Sequence, residues 1–222
     1  MHENTQLSSD QRTAPAPSTD TPVIIVGAGL SGLYAAYLLH KRGVNSILVE
    51  ANDRIGGRIQ SINLPSRGDD REQFDMGPAW FWPTMNPIFN GLVQELNLTA
   101  FEQYSQGDYL IEEAIDQPAR AYGSGQINQP ASQRLEGGML SMAKALLSRL
   151  DADSVMLNTR VTAISKTDSG DYRVIATQNN QALELHADSV ITSIPLRLMA
   201  RSIQFTPELP TSVTEKMRSL PT

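Results

Sequence analysis

A glycine-rich hexapeptide near the amino terminus is the feature that most restricts how this chain can fold. It reads Gly27-Ala28-Gly29-Leu30-Ser31-Gly32 and matches the pattern G-x-G-x-x-G. The apolar run from Val23 to Val26 before it predicts a strand that is buried on both faces. Apolar residues at helical spacing follow from Leu30 to Arg42, and Ser46 to Val49 predicts a second strand. This order of elements predicts a parallel βαβ unit with a right-handed crossover.

The turn and the end of the second strand have the properties that a dinucleotide requires. Gly29 has no side chain, so the backbone can approach a pyrophosphate at the positive end of the following helix. Gly32 lets that helix pack closely on the sheet. Glu50 ends the second strand, where its carboxylate can accept both hydroxyls of an adenosine ribose. A glycine-rich hexapeptide alone is often only a tight turn, but these four elements together favour nucleotide binding.

The residues after the second strand indicate which dinucleotide. The run Glu50-Ala51-Asn52-Asp53-Arg54-Ile55-Gly56-Gly57-Arg58 resembles the E-A-x-x-x-x-G-G-R segment of the flavin-containing amine oxidases. The resemblance implies that the glycine pair approaches the pyrophosphate of FAD and that Arg58 contacts it, since a diphosphate favours a cation beside backbone N–H groups. The cofactor-binding residues implied by this first block are Gly27, Ala28, Gly29, Leu30, Ser31, Gly32, Glu50, Ala51, Gly57 and Arg58.

A second block is similar to the family segment that runs beside the flavin ring. It spans Phe74 to Trp80 and implies cofactor contacts for Gly77, Pro78, Ala79 and Trp80. L-amino-acid oxidases place an arginine for the substrate carboxylate where this chain has Trp80. An indole cannot pair with a carboxylate, so an amine is favoured over an amino acid as substrate. The cluster Trp80-Phe81-Trp82 is either core or a wall of the flavin or substrate cavity.

Two later blocks extend the resemblance. The segment from Leu135 to Met139 resembles a G-G-x-x-x-L segment of the family, and the segment from Asn158 to Ile164 matches the strand whose valine hydrogen-bonds the adenine, which implies that role for Val161. We expect a leader over 1–21, an FAD-binding domain over 22–80 and 135–195, and a partial substrate domain over 81–134 and 196–222.

The predicted fold class is α/β: a Rossmann-type FAD-binding domain with a parallel sheet, an antiparallel β-meander and an incomplete substrate domain. Further helices are predicted from Asn86-Pro87 to Leu96, with Asn86 as the cap, and from Met139 to Leu150. The remaining predicted strands are Ile59 to Leu64, Tyr109 to Ile111, Val155 to Leu157, Val161 to Lys166, Asp171 to Thr177, Gln181 to His186 and Asp188 to Thr192.

Composition excludes several other classes of function. The chain has 24 acidic and 18 basic residues, and no basic cluster points to nucleic acid. It has no cysteine, and its 3 histidines show no metal-ligand spacing. No apolar run is long enough for a membrane span. The polar leader lacks the apolar stretch of a secretory signal, so we expect a cytoplasmic protein.

The resemblance implies an FAD-dependent oxidoreductase that oxidises the C–N bond of a small amine. In this family a hydride passes to the flavin, the imine hydrolyses, and oxygen reoxidises the flavin. No residue of this chain can be assigned a catalytic role. Two alternatives stay open: a relative of carotenoid desaturases or protoporphyrinogen oxidases, and a non-catalytic dinucleotide-binding module or subunit of a split enzyme.

The end of the sequence adds a further expectation. The chain stops at Thr222, before the lysine near flavin N5 and the glycine-rich stretch that complete the family's flavin site. We expect about half of such an enzyme, with a second chain or a missing C-terminal half as partner. We also expect weak or no retention of FAD by the isolated chain, and association or poor solubility caused by an unpaired sheet edge and exposed apolar surface.

Overall fold

The computed structural model describes residues 20–63, 73–123 and 130–220. The helices are α1 (Leu30–His40), α2 (Pro87–Glu95), α3 (Leu140–Leu147), α4 (Leu196–Ser202) and α5 (Thr211–Ser219), and a short 3-10 helix spans Ala152–Ser154. The strands are β1 (Asp20–Val26), β2 (Ser46–Val49), β3 (Ser61–Asn63), β4 (Gln73–Asp75), β5 (Ala100–Glu102), β6 (Tyr109–Ile111), β7 (Arg120–Tyr122), β8 (Gln133–Leu135), β9 (Val155–Met156), β10 (Thr159–Lys166), β11 (Tyr172–Gln178), β12 (Gln181–Thr192) and β13 (Gln204–Thr206).

The largest sheet has seven strands in the order β13-β10-β11-β12-β1-β2-β9. The strands β12, β1, β2 and β9 are parallel, while β10, β11 and β12 form an antiparallel meander. The predicted βαβ unit and the predicted meander are therefore both present. Three two-stranded antiparallel ribbons, β3-β4, β5-β8 and β6-β7, accompany this sheet in the described residues.

One long strand joins the two parts of the sheet. The first part of β12 pairs with β11, and the part from His186 to Thr192 pairs with β1. Two separate strands, Gln181 to His186 and Asp188 to Thr192, were predicted here, and this prediction was wrong. Because neither glycine nor proline interrupts the segment, the chain continues as one extended strand of 12 residues.

Both faces of the sheet are covered, and β1 contributes to each face. Val23 and Ile25 pack with α1, α2 and α3, whereas Ile24 and Val26 pack with the meander, α4 and α5. This alternation follows from the two-residue period of a strand, and it confirms that β1 is buried on both sides. Burial of each of these side chains contributes about 1.5–3 kcal/mol before entropy is counted.

The helix boundaries differ from the predicted ones in small ways. α1 ends at His40, two residues before the predicted Arg42, and α3 ends at Leu147 rather than Leu150. Asn86 precedes α2, but its side chain makes no capping bond to the helix. Asn86 is nevertheless the N-cap residue of α2, as predicted, and its Oδ1 accepts a hydrogen bond from the Trp82 N–H at 3.1 Å.

The division into domains stays a prediction, and the structure adds two facts to it. Phe81 and α2 belong to the same core cluster as α1 and α3. In the segment 196–222, β13 pairs with β10 and Met217 lies in the core on the other face of the sheet. Residues up to 19, which include most of the predicted leader, and residues 64–72 lie outside the described residues. Within the described ranges, no helix is both long and apolar enough to cross a membrane.

Candidate cofactor site

The first glycine turn leaves β1 at Gly27 and is closed by groups from two other strands. The Gly27 N–H donates to the Val49 carbonyl at 2.8 Å. Ser193, just after β12, donates through its hydroxyl to the carbonyls of Val26 and Gly27 at 3.0 and 2.9 Å. A Cβ atom at Gly32 would lie 2.0 Å from the Gly27 carbonyl oxygen, which explains why the first helical turn needs a glycine there.

The amino terminus of α1 has no side-chain cap among the described residues. Gly29 precedes the helix, and no side chain caps it. A Cβ atom at Gly29 would meet no atom within 4 Å, so open space lies in front of the turn. Leu30 is half-buried, Ser31 is exposed, and Ala28 is fully buried. The first N–H groups of a helix lack intrahelical acceptors and carry the positive end of its dipole, so this position is suited to an anion.

Glu50 lies beside this turn at the end of β2, and only 6% of its surface is exposed. Its Oε2 accepts the Ala28 N–H at 2.9 Å, and its Oε1 accepts the backbone and side-chain N–H groups of Asn52 at 2.9 and 2.7 Å. Two acceptor positions on each oxygen give four in total. Three have protein donors, so Oε2 keeps one position for a further donor. The prediction that Glu50 accepts both ribose hydroxyls stays a prediction.

The second glycine loop lies directly against the first. The Gly56 N–H donates to the Ala28 carbonyl at 2.8 Å, and Gly29 and Gly56 form a parallel bridge. A Cβ atom at Gly57 would lie 3.2 Å from the Gly29 Cα. Ala51 is half-buried, and Arg58 is exposed with no ion-pair or hydrogen-bond partner among the described residues. Two glycine loops therefore meet at the start of α1, and Arg58 follows directly after the second one.

The segment from Gly77 to Trp80 passes next to this second loop. A Cβ atom at Gly77 would lie 2.4 Å from the Arg58 carbonyl oxygen, so the two segments are in contact. Pro78 is exposed and Ala79 is buried. The Trp80 side chain is half-exposed, and its Nε1–H donates to Gln103 Oε1 at 2.9 Å.

The members of the aromatic cluster Trp80-Phe81-Trp82 differ in burial. Phe81 is buried in the core, with its ring centroid 4.9 Å from that of Phe89. Trp80 lies outside the core, and 52% of its surface is exposed. The core interpretation therefore holds for Phe81, while Trp80 presents an exposed aromatic surface three residues after Gly77.

Val161 reaches the neighbourhood of Glu50 through the start of β10. The N–H groups of Asn158 and Thr159 donate to the carbonyls of Asn52 and Glu50, both at 2.8 Å. Val161 follows two residues later and is buried. The register between β10 and β11 shifts between Val161 and Ala163, so the strand is irregular at this point. Irregular strands near a site commonly redirect a backbone or side-chain group.

A buried carboxylate that sequence reasoning missed holds the segment before Gly77. Asp75 Oδ1 accepts the Ser61 hydroxyl at 2.7 Å and the Met139 N–H at 2.8 Å. Its side chain is 1% exposed, and its Oδ2 lies 3.8 Å from Arg134 Nη2. This network joins the β3-β4 ribbon to the start of α3 and so fixes the strand that leads to Gly77.

Asn52, Arg54 and Ser193 were also missed as site residues. Asn52 and Arg54 lie in the motif run itself, so a polar residue beside a glycine pair was the available signal. Ser193 gave no such signal, because its role depends on the pairing of β12 with β1.

Among the described residues, no group of three or more histidine or carboxylate side chains could hold a metal ion.

The family model described as flavin containing amine oxidoreductase matches residues 95–222, and that of an NAD(P)-binding Rossmann-like domain matches residues 25–96. The first of these models covers more than half of the chain. The chain belongs to the flavin containing amine oxidoreductase family. This membership confirms the resemblance that the motifs of the sequence indicate.

Known amine oxidoreductases align with this chain over parts of their length. A probable flavin-containing monoamine oxidase A from Dictyostelium discoideum is 34% identical over 161 residues, which are 72% of this chain and 32% of that protein. Human flavin-containing amine oxidase B is 38% identical over 85 residues, which are 38% of this chain and 15% of that protein. The chain therefore spans about a third of the amoebal relative.

A solved structure shows the same fold. Wild-type putrescine oxidase bound to putrescine superposes with a TM-score of 0.71 at 20% identity, over 90% of this chain and 63% of that chain. The predicted α/β fold class is therefore confirmed.

Proposed function

We propose that this chain binds FAD through the ADP half of the cofactor. The pyrophosphate would lie at the start of α1 between Gly29 and Arg58, the ribose beside Glu50, and the adenine beside Val161. The observation that carries the proposal is the contact between the two glycine loops at Gly29 and Gly57, with open space in front of Gly29. A side chain at Gly29 would occupy that space, so the cradle fits a diphosphate group.

The flavin end of the cofactor would lie along Gly77 to Trp80. This segment contacts the second glycine loop, and the Asp75 network fixes its approach. When bound, FAD supplies a hydride acceptor for oxidation of an amine C–N bond, with oxygen as the final acceptor. The residues of this chain hold and orient the cofactor, and the half-exposed Trp80 indole offers an apolar face beside it.

A small amine is the substrate that we propose for the complete enzyme. Family membership and the names of the relatives, monoamine oxidase, amine oxidase B and putrescine oxidase, support this class. Trp80 adds support because an indole provides no cation for a substrate carboxylate. The rest of the family's fold would come from a second chain or from a further part of the same protein. A cytoplasmic location stays a prediction.

Titration of the purified chain with FAD, followed by quenching of flavin fluorescence, tests the proposed site. We expect saturable binding that ADP competes with and that FMN does not share, because FMN lacks the adenosine half. The variant Glu50→Gln removes the charge that would accept a ribose hydroxyl at the free position of Oε2, and it should weaken FAD binding about tenfold.

The matched control is Glu184→Gln, which changes an exposed carboxylate in the meander. It should leave the affinity for FAD unchanged. The proposal is wrong if FMN binds as tightly as FAD, or if Glu50→Gln and Glu184→Gln have the same affinity as the unchanged chain.

A further inference from the structure

Arg54 wraps around the second glycine loop on the side away from the first. Its Nη1 donates to the carbonyls of Ile55 and Ile59, both at 3.3 Å, and its Nη2 donates to the Gly57 carbonyl at 3.0 Å. The planar fork of a guanidinium can direct several donors at fixed angles, which an ammonium group cannot do. The exposed Arg54 side chain therefore donates hydrogen bonds to three carbonyls of a loop that contains two adjacent glycines.

These carbonyls determine where the N–H groups of the loop point. In a trans peptide unit the C=O and N–H bonds point in opposite directions. The peptide between Ile55 and Gly56 shows this arrangement, since its carbonyl faces Arg54 and its N–H donates to Ala28 across the loop. The peptide between Gly57 and Arg58 also turns its carbonyl to Arg54. Its N–H is therefore directed away from Arg54, and it has no acceptor among the described residues.

We propose that Arg54 is a positioning residue for diphosphate binding, which it supports by holding the Gly57–Arg58 peptide with its N–H towards the first glycine loop. The inference rests on the proposed function, because the anion is the pyrophosphate placed between Gly29 and Arg58. Without the fork, the glycine pair can rotate and present carbonyl oxygens to the phosphate, which repel it. Arg54 itself does not contact the ligand.

Isothermal titration calorimetry of the full chain with ADP and with adenosine shows whether Arg54 supports binding of the diphosphate or binding of the whole nucleotide. In Arg54→Met the affinity for ADP should fall about tenfold, while that for adenosine should stay within about twofold, because adenosine carries no phosphate. Arg54→Lys should lose nearly as much ADP affinity, since a lysine keeps the charge but lacks the fork. The melting temperature of the free variants should match that of the unchanged chain.

Arg42→Met is the matched control. Arg42 also donates to a backbone carbonyl, that of Leu38 at 3.1 Å, but it follows the opposite end of α1, about 20 Å from Gly29 by the helix rise. Its ADP affinity should be unchanged.

Three results would overturn the inference. They are full ADP affinity in Arg54→Met, equal losses for ADP and adenosine, and rescue by Arg54→Lys, which would indicate charge alone. If the unchanged chain binds no ADP, the proposed function fails and this inference fails with it. If the unchanged chain binds ADP and Arg54→Met binds it equally, only this inference fails.

Discussion

Gly29 and Gly32 lie in the same turn, yet the space around them is different. A Cβ atom at Gly32 would overlap the Gly27 carbonyl, whereas a Cβ atom at Gly29 would meet no protein atom within 4 Å. The backbone of Gly29 has φ −70° and ψ 177°, which an alanine adopts without strain. The fold therefore requires a glycine at position 32, while only a ligand would require one at position 29.

The two alanine variants should therefore fail in different ways. Gly29→Ala should unfold at the same temperature as the unchanged chain, and its affinity for FAD should fall because the methyl group occupies the space for the pyrophosphate. Gly32→Ala should lower the melting temperature markedly, because the helix must move away from the turn. Thermal unfolding monitored by circular dichroism, combined with FAD titration, distinguishes them. A Gly29→Ala variant that binds FAD normally would contradict the assignment of this space.

At the scale of residues, sequence reasoning identifies those whose role depends on a local pattern. The hexapeptide, Glu50 and the glycine pair belong to one continuous run, and the structure brings them together. Ser193 and Asp75 could not be assigned, because each acts on groups that are far away in sequence. Arg54 lies within the same run, but its hydrogen bonds follow from the curvature of the loop, which the sequence pattern does not define.

The β10-β11 turn contains a carboxylate held by hydroxyl groups. Ser169 and Thr167 donate to Asp171, and these bonds lower the pKa of Asp171 from 3.8 to about 2. The Thr167 N–H also donates to the Asp171 carbonyl at 2.8 Å, which closes the turn. Because the folded-state pKa lies below the unfolded value, the ionised carboxylate stabilises the hairpin above about pH 4. That contribution is lost as the pH falls through about 2.

Replacement of this carboxylate should change how stability depends on pH. Asp171→Asn should be less stable than the unchanged chain near neutral pH, and the difference should shrink as the pH falls from 3.8 to about 2. Urea unfolding at a series of pH values measures this difference. A constant difference across the acid range would show that Asp171 acts by packing or turn geometry.

At the scale of elements, the helices and strands with a regular apolar pattern were predicted well. Those whose positions depend on long-range contacts were predicted poorly. The predicted bounds of β2 and β6 agree with the structure, and α1 begins at the predicted residue. α4, β13 and α5 were not predicted: α4 and β13 are short, and α5 is mostly polar, with Met217 as its buried residue. Their positions depend on tertiary contacts, as with Met199 and Met217, which are buried only because the meander lies beneath them.

At the scale of the whole molecule, one of the two core clusters crosses the predicted domain boundary. Phe81, which is 3% exposed, packs with residues of β1, α1, α2 and α3 in one cluster. On the surface nearby, Tyr37 at the end of α1 donates to Glu95 at the end of α2 at 2.7 Å. The segment that contains α2 is therefore attached to the large sheet by both apolar and polar contacts.

Truncation of Phe81 should therefore destabilise the whole fold. Phe81→Ala should reduce the free energy of unfolding by about 3–5 kcal/mol, because it leaves a cavity in a shared core. Ile88→Ala is the control, since Ile88 on α2 is 74% exposed, and it should change stability by less than about 0.5 kcal/mol. Chemical denaturation followed by fluorescence and circular dichroism should give coincident transitions in each case. Separate transitions, with only one shifted in Phe81→Ala, would show that the 81–134 segment unfolds independently.

The pairing of β1 with β12 has a consequence for how the protein is made. The Ser193 hydroxyl that closes the first glycine turn bonds to Val26, a residue 167 positions earlier in the chain. Synthesis proceeds from the amino terminus at about 5–20 residues per second, so the glycine turn leaves the ribosome roughly ten to thirty seconds before β12 is available. During that interval β1 lacks one neighbour and the turn lacks Ser193. A nascent chain therefore needs protection of an apolar strand edge before the nucleotide cradle is complete, and the complete cradle forms only after β12 has been synthesised.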